Sequence, residues 1–435
     1  MAKCIVIGGG FAGLASAAYL TKAGIKVELL ESSPKLGGRA YSFKDESSGS
    51  IIDNGQHIMM GCYTETLDFM KLIGAGDNLL YQDKLKINFV KEGFKVLALN
   101  ASRLPYPFNL ITGLLNYKAI SPKERISLLK FFLKLPFQKV NEIKKLTVRE
   151  FLLKENQSEN AIEAFWAILV VGALNTSMEK ASAEIFLNIL KRIFLSGNAA
   201  SAIVLPKYGL SETYCVSAGK FIAEGGGIIN MPEGVTGLIY EGMLLKKIIT
   251  AKRIIDDFDF VISAVPFFAA EKIKNFSLIV PHPGMSFSPI LSVHVWLKEN
   301  KFKDDFYGLI GSEVHWIFNR GDHITLVISD AGRFIDKERG EISELVINEL
   351  QKFADIKKDE IISIKIIKEK RATFIPTNDI NGKRPGTKTN LSNFFLAGDW
   401  IDTGLPSTIE SAVKSGRLAA EMILKNLIDC YSDSV

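Results

Sequence analysis

The sequence predicts an α/β protein: a Rossmann-like domain with a parallel sheet, and an inserted α+β domain of helices and antiparallel sheet. Three observations predict this class. A glycine-rich strand–turn–helix opens the chain, a long stretch broken by prolines has helical periodicity, and a later stretch alternates as strands do. At 435 residues, 47% of them hydrophobic, the chain is long enough for two domains with ample cores.

The N-terminal stretch runs from a short apolar strand through three glycines into an Ala-rich helix. Gly8, Gly10 and Gly13 have the G-x-G-x-x-G spacing of a dinucleotide-binding βαβ unit. Gly8 permits the tight turn, Gly10 lets a pyrophosphate approach the backbone, and Gly13 lets the helix pack closely on the strand. Unpaired N–H groups and the dipole at the helix N-terminus attract phosphate. The residues predicted to bind at this turn are Gly8, Gly10, Phe11, Ala12 and Gly13.

A second predicted strand, residues 26–30, leads directly into Glu31 and Ser32. A carboxylate at this place accepts hydrogen bonds from both ribose hydroxyls and disfavours a 2′-phosphate. We therefore predict a site for the ADP moiety of a dinucleotide, with Glu31 and Ser32 at the ribose. A glycine turn without a nucleotide is the alternative, and it is disfavoured because strand, helix and acid all stand at the required spacing.

Composition and charge disfavour several classes of protein. A net charge of +5 and a pI near 8.7 are too mild for a nucleic-acid-binding protein. Cys4, Cys62, Cys215 and Cys430 lack C-x-x-C spacing, which disfavours a zinc site or redox dithiol and fits a reducing cytoplasm. The apolar N-terminus lacks the basic cluster of a signal peptide, and the apolar run 164–174 is shorter than the roughly twenty residues of a membrane span. We expect a cytoplasmic protein without a bound metal.

Residues 67–207 are predicted to be mostly helical, divided by prolines, and inserted between halves of the nucleotide-binding domain. Within this stretch Ser121 is a predicted N-cap, because proline and an acid follow it in the first helical turn. The runs 164–174 and 181–195 are predicted to be buried helices, which either line an apolar tunnel or form core.

Residues 121–149 mix apolar side chains with many lysines, and two interpretations stay open. The favoured one is an amphipathic helix packed on one face, with its lysines solvated. The other is a peripheral contact with the inner face of the cytoplasmic membrane, in which apolar side chains enter the lipid and lysines meet anionic headgroups.

The later part of the chain reads mainly as β structure. Short strands at 228–230, 234–238 and 259–266 are predicted to return the chain to the nucleotide-binding domain. After about residue 281 one helix, about 337–353, interrupts an antiparallel sheet. The predicted strands of that sheet are 289–297, 314–318, 324–329 and 361–368.

Two further glycine motifs extend the pattern. Gly38-Arg39 follows the ribose acid, and Arg39 can pair with a phosphate. Gly398-Asp399 stands between a predicted strand and the final predicted helix. Together with the N-terminal glycines, these motifs resemble the superfamily of flavin-dependent amine oxidases and phytoene desaturases. The resemblance implies that the nucleotide is FAD, bound by a domain of the glutathione reductase type.

A narrower resemblance covers essentially the whole chain. Segments 53–57 (Asp-Asn-Gly-Gln-His), 371–374 (Arg-Ala-Thr-Phe), 397–400 (Ala-Gly-Asp-Trp) and 403–410 (Thr-Gly-Leu-Pro-Ser-Thr-Ile-Glu) are similar to the squalene-associated FAD-dependent desaturases, also called hydroxysqualene dehydroxylases. That family implies reduction of hydroxysqualene to squalene with loss of water, a step of squalene and hopanoid biosynthesis. The chain departs from the pattern at Ile401 and Ser407, where threonine and alanine are expected.

The resemblance also implies roles for individual residues. Segment 53–57 passes beside the isoalloxazine ring, a strand near Val235 contacts adenine or ribose, and Asp399 bonds ribityl or pyrophosphate oxygens. The final helix points its N-terminus at the N1–C2=O edge of the flavin. His57 is the first candidate for the acid that protonates the departing oxygen, and Asp402 is the second. The further cofactor-binding residues so implied are Gly38, Arg39, Asn54, Gly55, Gln56, His57, Val235, Gly398, Asp399, Pro406, Ser407 and Thr408.

Residues 1–75, 205–275 and 371–435 are assigned in this way to a discontinuous FAD-binding domain, and residues 76–204 and 276–370 to a substrate domain. A single dinucleotide fingerprint implies that any NADPH reduces the flavin through a transient complex. The expected partner is a long isoprenoid, and no nucleic acid is expected. Two alternatives stay open: a phytoene-desaturase-like enzyme or amine oxidase that runs the flavin in the oxidising direction, and a non-enzymatic prenyl-binding escort protein resembling the GDP-dissociation inhibitors.

Overall fold

The computed structural model describes residues 2–432. The α-helices, in chain order, are α1 (Phe11–Lys22), α2 (Thr64–Leu72), α3 (Phe108–Leu115), α4 (Pro122–Lys134), α5 (Val148–Lys154), α6 (Glu159–Ala161), α7 (Ala167–Leu174), α8 (Ala183–Leu195), α9 (Val216–Glu224), α10 (Phe267–Ala270), α11 (Phe276–Ile279), α12 (Arg339–Ala354) and α13 (Ile409–Ser432). One π-helical turn (Ile162–Trp166) leads into α7 and another (Ser211–Cys215) leads into α9.

The β-strands, in the same order, are β1 (Lys3–Ile7), β2 (Lys26–Leu30), β3 (Ser42–Lys44), β4 (Ile51–Asp53), β5 (Met59–Met60), β6 (Leu79–Tyr81), β7 (Lys86–Lys91), β8 (Lys95–Asn100), β9 (Ile203–Pro206), β10 (Ile228–Asn230), β11 (Val235–Glu241), β12 (Leu244–Thr250), β13 (Ile254–Ile255), β14 (Phe260–Ser263), β15 (Phe287–Leu297), β16 (Phe306–Leu309), β17 (Trp316–Asn319), β18 (Ile324–Ile328), β19 (Ile361–Phe374) and β20 (Phe394–Leu396).

A five-stranded parallel sheet has the order β10-β2-β1-β14-β20, so its strands come from far-apart parts of the chain. Alternate side chains of β1 enter two different cores, as the period of a strand requires. Cys4 and Val6 pack with α1 and α13, whereas Ile5 and Ile7 pack towards the three-stranded sheet β11-β12-β13. Burial on both faces explains why these strands read as continuous apolar runs.

The second large sheet has seven strands in the order β19-β15-β18-β17-β16-β7-β8. It is antiparallel except where β16 runs parallel to β7. One face of β15 (Leu291, Val293 and Val295) packs with the apolar face of α12. The opposite face of β15 carries Ser292 and His294, which point towards the part of the chain that follows β4.

The helices between β8 and β9 form a separate apolar core. Its centre is Trp166, which is almost completely buried. The Trp166 ring makes edge-to-face contacts with the equally buried Phe131 of α4 and Phe186 of α8. The predicted N-cap of α4 is confirmed as a capping box. The Ser121 hydroxyl accepts from the Glu124 amide at 3.4 Å, and the Glu124 carboxylate accepts from the Ser121 amide at 2.7 Å.

The prediction of helix over 67–207 is wrong for residues 79–100, which form β6, β7 and β8. In β8 Leu97 and Leu99 are buried while their neighbours are exposed, which is the two-residue period of a strand. Gly93 and Phe94 make the hairpin turn with φ of +78° and +56°. No helix within residues 2–432 combines the length and the apolar character needed to cross a bilayer.

Candidate active site

The first glycine turn joins β1 to α1 in the tight geometry that the sequence predicts. Gly8 has a φ of +105°, and its N–H donates to the Leu30 carbonyl at 2.8 Å. A Cβ on Gly13 would lie 1.8 Å from the Gly8 carbonyl oxygen, so only glycine fits there. The turn therefore brings the start of α1 against the ends of β1 and β2.

The N-terminus of α1 keeps its amide groups available. Gly10 is the N-cap, no side chain caps it, and the first turn contains no acid. Phe11 and Ala12 follow as buried residues of that turn. Across the turn, a Cβ on Gly38 would lie 3.2 Å from the Gly10 Cα, so two bare backbones face each other. Amide groups and a positive helix end exposed in this way bind phosphate.

Glu31 is buried beside this turn, with 7% of its surface exposed. Its carboxylate accepts from the Gly9 and Ser33 amides, each at 2.7 Å, and from the Ser32 hydroxyl at 3.2 Å. The carboxylate therefore already fixes both loops, and it has further lone pairs for ribose hydroxyls. Val235 begins β11 close by, since a Cβ on the preceding Gly234 would lie 3.2 Å from the Ser32 Cβ.

Arg39 and Asp399, which are 360 residues apart in the chain, form an ion pair. Arg39 also donates to the Ala372 carbonyl at 2.8 Å, and the Ser407 hydroxyl donates to the other oxygen of Asp399. Gly398, with a φ of +138°, turns the chain at the end of β20, where Trp400 leaves no room for a Cβ. The Gly38-Arg39 and Gly398-Asp399 motifs thus meet in one place.

The final helix approaches α1 closely. A Cβ on Gly416 would lie 2.3 Å from the Ala12 carbonyl oxygen, so α13 crosses α1 at a glycine contact. Thr408 lies at the start of α13, where its hydroxyl accepts from the Ser411 amide at 3.2 Å, and the buried Pro406 precedes it. In the same first turn the Glu410 carboxylate is almost fully buried.

Glu410 connects three helices. It pairs with Arg192 of α8 at 2.9 Å and accepts from the Thr66 amide and hydroxyl of α2 at 3.0 and 2.8 Å. It also accepts from the Glu65 amide at 3.3 Å, so it caps the N-terminus of α2. Burial raises the pKa of Glu410. Sequence reasoning missed this contact because its partners are more than 200 residues away.

The segment after β4 is held by its own side chains. Asn54 accepts from the Tyr41 amide at 2.9 Å and donates to the Arg39 carbonyl at 2.8 Å, so its amide group supports the loop. The segment is also held by β15, where His294 Nε2 donates to the Asp53 carbonyl at 3.1 Å and His294 Nδ1 bonds the Thr325 hydroxyl at 2.9 Å. Burial lowers the pKa of His294 to about 3, so the ring is neutral.

Gln56 and His57 have no hydrogen-bond partner among residues 2–432. The Gln56 amide nitrogen is buried and unpaired, and His57 is half-buried beside Gly55. Burial lowers the pKa of His57, the positive charge of Arg39 lowers it further, and Asp53 opposes both. His57 can donate a proton only as the imidazolium, and the lowered pKa moves that form to more acidic pH. Free polar groups in a buried place are expected where a ligand supplies the partner.

Asp402, the second candidate acid, already has partners for its carboxylate. Its carboxylate accepts from the buried Arg384 at 3.0 Å and from the Gly404 amide at 3.1 Å, and nearly half of the side chain is exposed. Arg384 also donates to the Ile401 and Leu405 carbonyls at 3.0 and 2.8 Å. This arginine shapes the loop between β20 and α13, and it engages Asp402 as part of that loop.

Tyr214 is a further residue that sequence reasoning missed. Its ring stacks on Phe11 with centroids 3.7 Å apart, and its hydroxyl donates to the Gly37 and Ala40 carbonyls at 3.0 and 2.7 Å. Tyr214 therefore connects the start of α1 to the Gly38-Arg39 loop. No sequence signal marks it, whereas His294 stands out as a polar residue inside an apolar strand.

The residues around the first turn fit FAD. The uncapped N-terminus of α1 and the bare backbones of Gly10 and Gly38 suit the pyrophosphate, and Glu31 suits the ribose of the ADP moiety. With the parallel sheet, this arrangement defines a dinucleotide-binding oxidoreductase of the FAD-dependent type.

Comparison with known proteins gives the family. Residues 11–424 match the family described as flavin containing amine oxidoreductase. The chain belongs to that family and is an FAD-dependent oxidoreductase.

The individual relatives have low sequence identity to this chain. Hydroxysqualene dehydroxylase of Zymomonas mobilis is 27% identical over 433 residues, which cover 97% of this chain and 99% of that relative. A 15-cis-phytoene desaturase of an Oncidium hybrid is 24% identical over 480 residues, covering all of this chain and 79% of the relative. The crystal structure of an oxidoreductase from Methanosarcina mazei has a TM-score of 0.73 at 18% identity, covering 96% of this chain and 100% of that one.

Proposed function

We propose that this enzyme reduces hydroxysqualene to squalene with loss of water. The observation that carries the proposal is the full-length similarity to hydroxysqualene dehydroxylase of Zymomonas mobilis. The desaturation of a polyprene, as in the phytoene desaturase relative, is the second candidate, favoured by a weaker similarity. Both candidates use a long isoprenoid, and they differ in the direction in which the flavin works.

An apolar cavity supports a long isoprenoid substrate. It has a volume of about 210 Å³ and lies between α3, α4 and β8. Its lining includes Leu99, Leu110, Phe132, Phe165 and Phe194. Burial of hydrocarbon against such walls is favourable by about 25 cal/mol for each Å² removed from water. A cavity of this lining accepts an isoprene chain and disfavours a charged amine.

The chain's own residues supply binding and proton transfer. The α1 N-terminus and Arg39 would hold the pyrophosphate, and Glu31 and Ser32 the ribose. When bound and reduced, FAD supplies two electrons and a hydrogen to the carbon that loses its hydroxyl. We propose that His57 donates the proton to the departing oxygen. Asp402 is the weaker candidate, because Arg384 and a backbone amide already bind its carboxylate.

Product analysis tests the function. Anaerobic enzyme with chemically reduced flavin is mixed with hydroxysqualene, and the lipids are analysed by mass spectrometry. The proposal expects squalene in proportion to the flavin oxidised. Formation of a more unsaturated product by the oxidised enzyme would instead establish a desaturase, and a protein that cannot take up FAD would fit the escort alternative. We propose that NADPH, if it is the reductant, binds only transiently, so equilibrium dialysis should detect no stable complex.

We also propose a peripheral contact with the inner face of the cytoplasmic membrane. Phe108, Leu133 and Phe137 are 59%, 58% and 80% exposed, and Leu133 and Phe137 belong to the lysine-rich segment 121–149. Apolar side chains ringed by lysines favour an anionic bilayer. The structure therefore favours a contact that includes α3 as well as α4.

Vesicle binding tests this contact. Leu133→Ser with Phe137→Ser should reduce co-sedimentation with vesicles of phosphatidylglycerol and phosphatidylcholine. Ile362→Ser, which changes an equally exposed residue of β19, is the matched control and should bind as the unaltered protein does. Equal loss in both variants, or no loss in the first, would contradict the proposal.

We further propose that residues 1–75, 205–275 and 371–435 act as the FAD-binding domain and residues 76–204 and 276–370 as the substrate domain. The five-stranded sheet takes all its strands from the first set. The boundary near residue 371 falls inside β19, so this strand would belong to both domains.

A further inference from the structure

Ser292 is a buried hydroxyl without a partner, and its position is unusual. It lies on β15, has 0% of its surface exposed, and its Oγ makes no hydrogen bond. Its neighbours on the same face of the strand are satisfied: His294 bonds Asp53 and Thr325, and Ser288 donates to Asp330 at 3.3 Å. A buried polar group is normally paired, so an exception in a row of satisfied groups points to a missing partner.

Ser292 lies at the segment that carries the candidate acid. Measured from an ideal Cβ position on Gly55, both Ser292 Oγ and His57 Nε2 are 3.9 Å away. The Gln56 amide nitrogen, which is also buried and unpaired, belongs to the same segment. The Ser292 hydroxyl and the His57 imidazole thus both lie beside Gly55, and the unpaired Gln56 amide belongs to the next residue. Of these three side chains only the imidazole can carry a charge.

A polar cavity of about 170 Å³ lies directly beside this segment. Gln56 and His57 line it, and its other lining residues include Lys207, Asn319 and Arg320. Its lining differs from that of the apolar cavity between α3 and α4, which contains hydrocarbon side chains. The space beside Gly55 is thus adjacent to a route that water can use.

We propose that Ser292 and Gln56 form a subsite that binds the hydroxyl oxygen of the substrate beside His57. The inference rests on the proposed function and names the part of the site that recognises the alcohol. Uncharged hydrogen-bonding groups suit a neutral hydroxyl, and a pure hydrocarbon would leave them unpaired, which is unfavourable in a buried place. The subsite therefore distinguishes an isoprenoid alcohol from the corresponding hydrocarbon.

The reaction that this subsite serves balances as follows. The bond between the allylic carbon and its oxygen breaks, and the electron pair leaves with the oxygen. That oxygen takes a proton from the imidazolium form of His57 and departs as water. Bound reduced FAD would supply the hydride that the carbon gains. Ser292 and Gln56 hold the oxygen throughout, and their hydrogen bonds strengthen as negative charge develops on it.

Equilibrium binding to the oxidised holoenzyme tests the subsite without turnover. Hydroxysqualene and squalene are titrated separately in detergent micelles, with the flavin absorbance as the signal. We expect the unaltered enzyme to bind the alcohol more tightly, and Ser292→Ala to weaken alcohol binding by about three- to tenfold, the worth of one hydrogen bond. Squalene binding should change by less than about twofold in the same variant, since its contacts are apolar.

Two controls complete the experiment. Ser292→Thr keeps a hydroxyl and should preserve the preference for the alcohol. Ser182→Ala removes another buried, unpaired hydroxyl far along the chain, at the start of α8, and should change neither affinity. Equal weakening of both ligands by Ser292→Ala, or unchanged alcohol binding, would overturn the inference. Enzyme that forms squalene but binds both ligands equally would refute the subsite alone, whereas enzyme that forms no squalene would refute the proposed function.

Discussion

Replacement of Gly13 by alanine tests the central claim that FAD lies at the turn between β1 and α1. The added Cβ would stand 1.8 Å from the Gly8 carbonyl oxygen. Carbon–oxygen contacts in proteins begin at about 3.3 Å, so α1 must withdraw by about 1.5 Å. Overpacking of this kind lowers the free energy of unfolding by about 1–3 kcal/mol, and the displaced amides no longer point at the pyrophosphate.

The expected effect on FAD binding follows from those amides. A hydrogen bond to a charged group contributes about 1.5–3 kcal/mol, so loss of one such bond weakens FAD binding by about 10- to 150-fold. Apoprotein is titrated with FAD, and flavin fluorescence gives the affinity. Thermal unfolding of the apoprotein separately reports the packing cost.

Gly340→Ala is the matched control for Gly13→Ala. Gly340 lies in the first turn of α12, has no atom within 4 Å of an added Cβ, and is not in a left-handed conformation. This control should keep its FAD affinity and gain slightly in stability. If Gly13→Ala binds FAD as tightly as the unaltered protein, the placement of the cofactor at this turn is wrong.

Three further predictions concern single ionisable groups. Glu410→Ala should destabilise the protein by about 1–3 kcal/mol in urea unfolding, because it leaves two amides of α2 unpaired and removes the carboxylate partner of Arg192; a loss below about 0.5 kcal/mol would contradict this. Asp45 is buried and pairs with Lys365 at 2.5 Å, which holds its pKa well below the usual value. Its contribution to stability is therefore present above pH 3.8 and lost as the pH falls below that value; Asp45→Asn should flatten the acid dependence of the urea midpoint, and an unchanged slope would refute the reasoning. If His57 donates the proton, kcat should fall as the pH rises through a midpoint below 6.5, and His57→Gln should remove that limb; a profile that is unaltered in the variant would exclude His57.

The sequence predicts those parts of the fold whose signals are local. The turn at Gly8 and Gly13 is predictable because a positive φ and a helix–strand contact each demand glycine within a few residues. The capping box at Ser121 is likewise visible in four consecutive residues. The hairpin of β7 and β8 was predictable in principle, since Leu97 and Leu99 alternate, but the surrounding helical pattern obscured it.

The contacts that complete the site join residues that are far apart in the sequence. The ion pair of Arg39 with Asp399 and the stack of Phe11 on Tyr214 join residues hundreds of positions apart. Each depends on where the sheets bring the chain, and no pattern in either segment indicates its partner. Ser292 is intermediate: a serine in an apolar strand is visible in the sequence, but only the structure shows that its hydroxyl has no partner.

The contact of α1 with α13 has a consequence for biosynthesis of the enzyme. Gly416 meets Ala12 across about four hundred residues, and the pair Arg39–Asp399 closes a loop almost as long. A nascent chain therefore carries its glycine turn without α13 until about four hundred further residues have been made, and Arg39 without Asp399 for almost as long. Flavin uptake should consequently begin only after α13 has left the ribosome.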